Sequence, residues 1–269
     1  MSMPTGAADV EGLRVEIDHG VATLWLDRPE KRNAVTYDMW VGIAGACERL
    51  AADNSVRLLV VRGAGDHFCA GADIAGMRDV SGGDYRRANE AADAALAAFP
   101  KPSIAVITGA CVGGGTEIAV ACDLRLADST SRFGITPARL GIVYPASATA
   151  RVVRLVGPSA TKHLLFSAEL IDADRALRIG LVDEVREPGL LGERVGELTR
   201  LMATERSLLT QMASKEIVDA VADGQPVDPS VERRWGRAVA AGSDAAEGIA
   251  AFVERRAPNF TWTPSDVDR

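Results

Sequence analysis

The stretch GACVGGGTEIAVACD, residues 109–123, carries most of the information about the fold of this chain. A short apolar strand is predicted over residues 103–108, and a helix is predicted to begin among the following glycines and run through Cys122. Backbone N–H groups at such a helix start lie at the positive end of the helix dipole. Because glycines place no side chain in front of these groups, the segment predicts a ligand site where a strand turns into a helix.

Two known phosphate-binding patterns do not fit this stretch. A P-loop requires a lysine after its last glycine, and the dinucleotide fingerprint requires a third glycine where this chain has Thr116-Glu117-Ile118. What remains is Gly114 and Glu117, three residues apart and therefore on one helix face. We predict that the Gly114 N–H holds a carbonyl oxygen that becomes an enolate, while Glu117 exchanges the proton on the adjacent carbon. The alternative is a glycine packing contact with Glu117 as a solvated charge.

A second segment, GDHFCAGADI at 65–74, also places small residues where a predicted strand turns into a short helix. The N–H of Ala72 is a candidate second donor to the same oxygen. Asp73 is a good N-cap residue for a short helix, so an ordinary capped turn is the alternative interpretation.

Outward from these turns, the hydrophobic pattern alternates between strands and helices. Residues 14–27 predict a β-hairpin, 36–53 and 84–98 predict helices, and 56–62 and 123–127 predict strands. Beyond residue 151 the pattern is helical, over residues 154–168, 172–179, 190–222 and 229–256. Alternation with short links favours a parallel, layered α/β core, and the sequence shows no internal period of 20–50 residues.

Composition excludes several classes of protein. The 269 residues are 47% hydrophobic and 25% charged, as in ordinary globular proteins, and the net charge of −7 argues against a nucleic-acid-binding surface. We expect no membrane-spanning segment, since no apolar run is long enough, and no secretory signal, since the first residues include acidic ones and no apolar run. Three scattered histidines and four unpaired cysteines predict no metal site and a reducing, cytoplasmic location.

Five segments in order resemble the enoyl-CoA hydratase/isomerase (crotonase) superfamily. They are DRPEKRNAVT at 27–36, HFCAGADI at 67–74, GGGTEIAVACDLRLAD at 113–128, FGITPARLG at 133–141 and EGIAAFVERRAPNF at 247–260. The resemblance implies an α/β spiral of ββα units over residues 1–200 and a helical oligomerisation region over 201–269. It also implies a homotrimer or a dimer of trimers, an acyl-CoA thioester as substrate and no further cofactor.

The resemblance assigns roles to individual residues. The N–H groups of Ala72 and Gly114 would form the oxyanion hole, and Glu117 corresponds to the family's first catalytic glutamate. Contacts to the CoA moiety would come from Arg32, Ala34, Ala70, Ile74 and Arg255.

One position departs from the hydratase pattern. Pro137 stands where hydratases usually carry a second glutamate, and hydration benefits from two carboxylates. The run TPARLGIVY instead looks like the methylmalonyl-CoA decarboxylase branch, in which a tyrosine at the position of Tyr144 lies near the acyl group. That branch has a histidine where this chain has Ala72, so the two sets of features are mixed.

The function expected from the sequence is therefore an acyl-CoA enzyme that stabilises a thioester enolate, nominally by hydrating a 2-enoyl-CoA. Decarboxylation of a malonyl-type CoA and double-bond isomerisation remain alternatives. A non-catalytic acyl-CoA-binding protein is the alternative from another class.

Overall fold

The computed structural model describes residues 10–76 and 80–266, which form two β-sheets surrounded by helices. The large sheet has the order β1-β2-β3-β4-β6-β9, and its strands are Leu13–Asp18, Val21–Leu26, Leu58–Gly63, Ser103–Ile107, Leu124–Asp128 and Glu184–Arg186. The small sheet has the order β5-β7-β8, and its strands are Ala110–Val112, Arg132–Gly134 and Ile171–Asp172. In the large sheet β1 pairs antiparallel with β2, and every later pairing is parallel.

The helices α1 to α9 are, in order, Tyr37–Ala52, Gly82–Ala97, Gly114–Ala121, Ala146–Ser167, Ala173–Ile179, Pro188–Thr204, Leu208–Ala222, Pro229–Ala241 and Asp244–Glu254. Several begin at a side-chain cap; the Thr36 hydroxyl, for example, accepts a hydrogen bond from Met39 N–H at 3.2 Å. Such a cap satisfies one of the N–H groups that the first helical turn leaves free.

The chain winds as a spiral of ββα turns. One turn runs through β4, β5 and α3, and the next runs through β6, β7 and α4. In the preceding turns single-residue bridges take the place of the short strand, because Cys69 pairs with Cys111 and Val35 pairs with Ala72. The predicted α/β spiral is therefore confirmed, although successive turns share no sequence period.

Several elements differ from the sequence prediction. The helix predicted over 190–222 is two helices, α6 and α7, and Ser207 caps the second through Thr210 N–H. The helix predicted over 229–256 is also two, separated at Gly242 and Ser243. Strands β5, β7, β8 and β9 were not predicted, because two or three residues are too few to show a period.

The C-terminal helices pack at the amino ends of the parallel strands. Arg57, just before β3, donates to the Ala203 carbonyl at 2.7 Å, and Lys215 of α7 pairs with Asp123, just before β6, at 2.8 Å. Residues of α7 and α8 form a separate apolar cluster with Trp262. Segments other than these helices therefore surround the carboxyl ends of the strands. The boundary at residue 200, between a spiral core and a helical oligomerisation region, stays a prediction. Within the described ranges, no helix is long and apolar enough to cross a bilayer.

Candidate active site

Two backbone N–H groups come together where two successive spiral turns enter their helices. Ala72 follows the carboxyl end of β3, and Gly114 follows β4 and β5 as the first residue of α3. A Cβ placed on Gly114 would lie 3.4 Å from Ala72 N, and a Cβ placed on Gly71 would lie 3.6 Å from Gly114 N. The two N–H groups are therefore neighbours. Gly71, at φ +109°, has a backbone conformation that other residues rarely adopt, and a Cβ there would lie 3.0 Å from Val112 O.

Both N–H groups are available to a ligand. In the parallel bridge between Val35 and Ala72, Gly71 O accepts from Val35 N–H at 2.8 Å and Asp73 N–H donates to Val35 O at 2.9 Å. The N–H of the central residue, Ala72, consequently points away from that bridge. Gly114 begins α3, so its N–H has no acceptor within the helix. This pair has the arrangement of an oxyanion hole.

Glu117 lies one helical turn into α3 and is 3% exposed. Its Oε1 accepts a hydrogen bond from Asn89 Nδ2 at 2.9 Å. Burial raises the pKa of the Glu117 carboxyl to about 8; the Asn89 hydrogen bond and the charge of Arg151 oppose that rise, and the charge of Asp93 adds to it. Asp93 and Arg151 themselves form an ion pair at 2.5 Å. A carboxyl group with this pKa can both take and return a proton near neutral pH.

Three polar residues of α2 face the site at four-residue spacing, and the sequence analysis missed all of them. Asn89 contacts Glu117, Asp93 binds Arg151, and Tyr85 Oη accepts from Trp40 Nε1 at 2.8 Å. The Trp40 ring lies 3.2 Å from the position a Cβ on Gly114 would take. The sequence pattern that could have revealed them is three polar residues spaced four apart on one helix face. The other buried positions of that helix are alanine and leucine.

Tyr144 lies behind the oxyanion hole. Its hydroxyl donates to the carbonyl oxygen of Gly113 at 3.1 Å, and its burial raises the pKa of the phenol well above its usual value.

Pro137 begins a 3-10 turn that follows β7, and the Thr136 hydroxyl lies 3.7 Å from the position of a Cβ on Gly113. The position of the second family glutamate is thus near the site but carries no carboxylate.

Four of the five predicted CoA-contacting residues lie together beside the oxyanion hole. Ala70 N–H donates to Arg32 O at 2.9 Å, which joins the segment around Ala34 to the turn that contains Ile74. Arg28 also links these two segments by hydrogen bonds, because its Nη1 donates to Ala34 O at 2.7 Å and to Asp73 Oδ2 at 3.0 Å.

The remaining predictions have different outcomes. Arg255 is exposed at the carboxyl end of α9, on the C-terminal helices that pack at the opposite ends of the strands, so the fold of one chain does not bring it to the other four. Asp73 Oδ1 accepts from Gly76 N–H at 3.4 Å, as predicted for a cap, and residues 77–79 lie outside the described residues. The four cysteines are buried and free. Within residues 10–76 and 80–266, no group of three or more His, Cys, Asp or Glu side chains is arranged to hold a metal ion.

Known proteins of one family are similar to this chain over most of its length. The family model for enoyl-CoA hydratase/isomerase matches residues 16–263. A crotonyl-CoA hydratase of Syntrophomonas wolfei is 34% identical over 254 residues, which cover 93% of this chain and 98% of that protein. The 2,3-dehydroadipyl-CoA hydratase of Escherichia coli is 33% identical over 241 residues, 89% of this chain and 94% of that protein.

Solved structures show the same similarity in three dimensions. An enoyl-CoA hydratase/carnithine racemase from Magnetospirillum magneticum superimposes with a TM-score of 0.89 at 32% identity, covering 95% of this chain and 96% of that one. An enoyl-CoA hydratase/isomerase family member has a TM-score of 0.86 at 36% identity, covering 94% and 97%. With its spiral fold, its paired N–H groups and its buried glutamate, this chain belongs to the enoyl-CoA hydratase/isomerase family.

Proposed function

We propose that this protein hydrates 2-enoyl-CoA thioesters, adding water across the C2–C3 double bond by way of a thioester enolate. The observation that carries the proposal is the buried Glu117, one helical turn after the oxyanion donor Gly114. The relatives named as hydratases support the same reaction.

One carboxylate is enough for this chemistry. Glu117 takes a proton from water while the water oxygen bonds to C3, and the electrons of the double bond move onto the thioester oxygen. The N–H groups of Ala72 and Gly114 stabilise that oxygen, each contributing about 2.7–4 kcal/mol. Glu117 then returns its proton to C2, and the carbonyl re-forms. The product carries hydrogen on C2 and hydroxyl on C3, so Pro137 in place of a second glutamate does not prevent hydration.

The environment of Glu117 suits a group that acts first as a base and then as an acid. Efficient proton transfer requires a pKa near the working pH, and burial raises the pKa of this carboxyl to about 8. Asn89 holds Oε1 and leaves Oε2 for the water and for C2. Asn89 is therefore a positioning residue for Glu117.

The direct test is the Glu117→Gln variant assayed with crotonyl-CoA, following the loss of enoyl absorbance. Glutamine keeps the size of the side chain and the hydrogen bond from Asn89 but cannot accept the proton of water. We expect kcat to fall by about 10³-fold or more, toward the upper end of what general acid–base groups contribute. Glu90→Gln, an exposed change on α2, is the matched control and should retain full activity.

Three results would reject the proposal. Full turnover by Glu117→Gln would remove the assigned role of the glutamate. Release of CO₂ from methylmalonyl-CoA, or migration of the double bond, without hydration of crotonyl-CoA would assign one of the other reactions. Binding of acyl-CoA without turnover of a broad panel would assign a non-catalytic role.

We also propose a homotrimer or a dimer of trimers in the cytoplasm, with acyl-CoA as the only small-molecule partner and with no cofactor, nucleic acid or membrane. Exposed apolar side chains on α9 support assembly, since Phe252 is 86% and Ile249 69% exposed. Four free cysteines support a reducing compartment. Light scattering should give three or six times the chain mass of 28.4 kDa, and a monomer would reject the proposed assembly.

A further inference from the structure

Tyr144 makes one hydrogen bond that the proposed reaction does not use directly. Its side chain is buried in the main core, and its hydroxyl donates to Gly113 O at 3.1 Å. The N–H of Glu117 donates to the same oxygen at 3.0 Å. Both lone pairs of this carbonyl therefore have a donor.

The carbonyl of Gly113 and the N–H of Gly114 belong to one peptide group. Resonance couples them, because the C–N bond has partial double-bond character. A donor at the oxygen draws electron density toward it and leaves the N–H more positive. Hydrogen bonds linked in this way strengthen one another by about 10–30% per bond.

We propose that Tyr144 is a positioning residue that strengthens the Gly114 N–H as an oxyanion donor, by hydrogen-bonding to the carbonyl of the same peptide group. The inference rests on the oxyanion hole of the proposed function, since it assigns the developing thioester oxyanion to the Gly114 N–H. It differs from a direct contact between Tyr144 and substrate, because the hydroxyl proton is already engaged with Gly113 O. Burial also keeps the phenol neutral, since it raises the pKa well above its usual value.

The other oxyanion peptide provides a comparison. The carbonyl of Gly71, which shares a peptide group with the Ala72 N–H, accepts from the backbone N–H of Val35 at 2.8 Å. No substitution of a side chain removes that bond selectively. At Gly113 one of the two bonds comes from a hydroxyl, so Tyr144→Phe removes it and preserves the ring.

The kinetic test is Tyr144→Phe with crotonyl-CoA. Because the bond acts on a charge that develops in the transition state, kcat should fall while KM changes by less than about twofold. The expected loss is about 3- to 10-fold, well below the roughly 10²–10³-fold loss seen when a whole oxyanion donor is removed. Tyr37→Phe is the matched control, because the half-buried Tyr37 side chain makes no hydrogen bond among the described residues, and it should leave kcat unchanged.

The decisive readout is the infrared stretching frequency of the thioester carbonyl of bound crotonyl-CoA. It is measured in the Glu117→Gln background so that turnover does not consume the ligand. An oxyanion hole lowers this frequency relative to the free thioester, and adding Tyr144→Phe should reverse part of the shift. Adding Tyr37→Phe instead should leave the frequency shift unchanged.

The infrared and kinetic results together separate failure of the inference from failure of the proposed function. An unchanged carbonyl frequency in Tyr144→Phe, with or without a lower kcat, overturns the inference and leaves only packing or direct substrate contact for the hydroxyl. A shift that depends on Tyr144 in a protein that does not hydrate crotonyl-CoA rejects the proposed function but retains the inference. The absence of any shift with Tyr144 intact rejects the oxyanion hole and both proposals.

Discussion

Glu117 and Lys101 are two buried ionisable residues at opposite ends of the parallel strands. Burial raises the pKa of Glu117 to about 8 and lowers the pKa of Lys101 to about 8. Desolvation is the main cause in both cases, because it disfavours the charged form of either group. A perturbed pKa alone therefore does not distinguish a catalytic residue from a structural one.

The hydrogen-bond partners make the distinction. Lys101 lies just before β4, and its ammonium donates to Leu50 O at 3.0 Å and Asp53 O at 2.7 Å, where α1 ends. These bonds satisfy carbonyls that the last helical turn leaves free. Glu117 has a single side-chain donor, Asn89, on one oxygen, and its other oxygen accepts no hydrogen bond among the described residues. The satisfied group stabilises the fold, and the partly satisfied group is available for chemistry.

The largest expected effect is the difference in activity between variants at the two residues. Lys101→Met should keep kcat/KM within about twofold, while Glu117→Gln should lose about 10³-fold or more. Steady-state hydration of crotonyl-CoA measures both. A Lys101→Met enzyme with intact folding but a loss comparable to that of Glu117→Gln would show that the two ends of the strands are not functionally separate.

A smaller effect concerns pH. Glu117 must be ionised to accept the proton of water, so kcat/KM should fall about tenfold for each pH unit below its pKa, which lies at about 8. Asn89 stabilises the ionised form, so Asn89→Leu should move the midpoint of this limb to higher pH and lower kcat/KM at pH 7. A pH profile that keeps its midpoint in Asn89→Leu would contradict the positioning role of Asn89.

The smallest expected effects are on stability, and they have opposite signs in the two variants. Lys101→Met leaves Leu50 O without this donor, so its free energy of unfolding should fall by about 1–3 kcal/mol. Glu117→Gln should have the reverse effect at high pH. The folded-state pKa of Glu117 is raised, so ionisation destabilises the parent increasingly from pH 4.5 to about 8.

Urea unfolding at pH 4.5 and pH 9 measures this linkage. The advantage of Glu117→Gln over the parent should be absent at pH 4.5 and reach a few kcal/mol at pH 9, since one pKa unit corresponds to about 1.4 kcal/mol. Equal stability of parent and variant at pH 9 would mean that the carboxylate is better satisfied than its surroundings indicate.

Local features of this protein were predictable because they depend on neighbouring residues. The hairpin, the first helix and the strand-to-helix turn at Gly114 follow from hydrophobic period, capping residues and glycines within a short window. The three-residue spacing of Gly114 and Glu117 was sufficient to place both on one face of α3. The ordered segments of family resemblance extended that prediction to the spiral fold.

Only the tertiary structure decided what surrounds the glutamate. Asn89 is 28 residues from Glu117 in the chain, and Tyr144 is 31 residues from Gly113. Arg255 resembles a site residue in sequence but lies on helices at the other ends of the strands. Contacts of this kind depend on how successive spiral turns stack, which no local window encodes. The sequence by itself predicted Glu117 as the reactive group and Gly114 as its oxyanion partner. The packing of α2, α4 and the segment before α4 decided the pKa of Glu117, its hydrogen bond from Asn89 and the hydrogen bond from Tyr144 to Gly113 O.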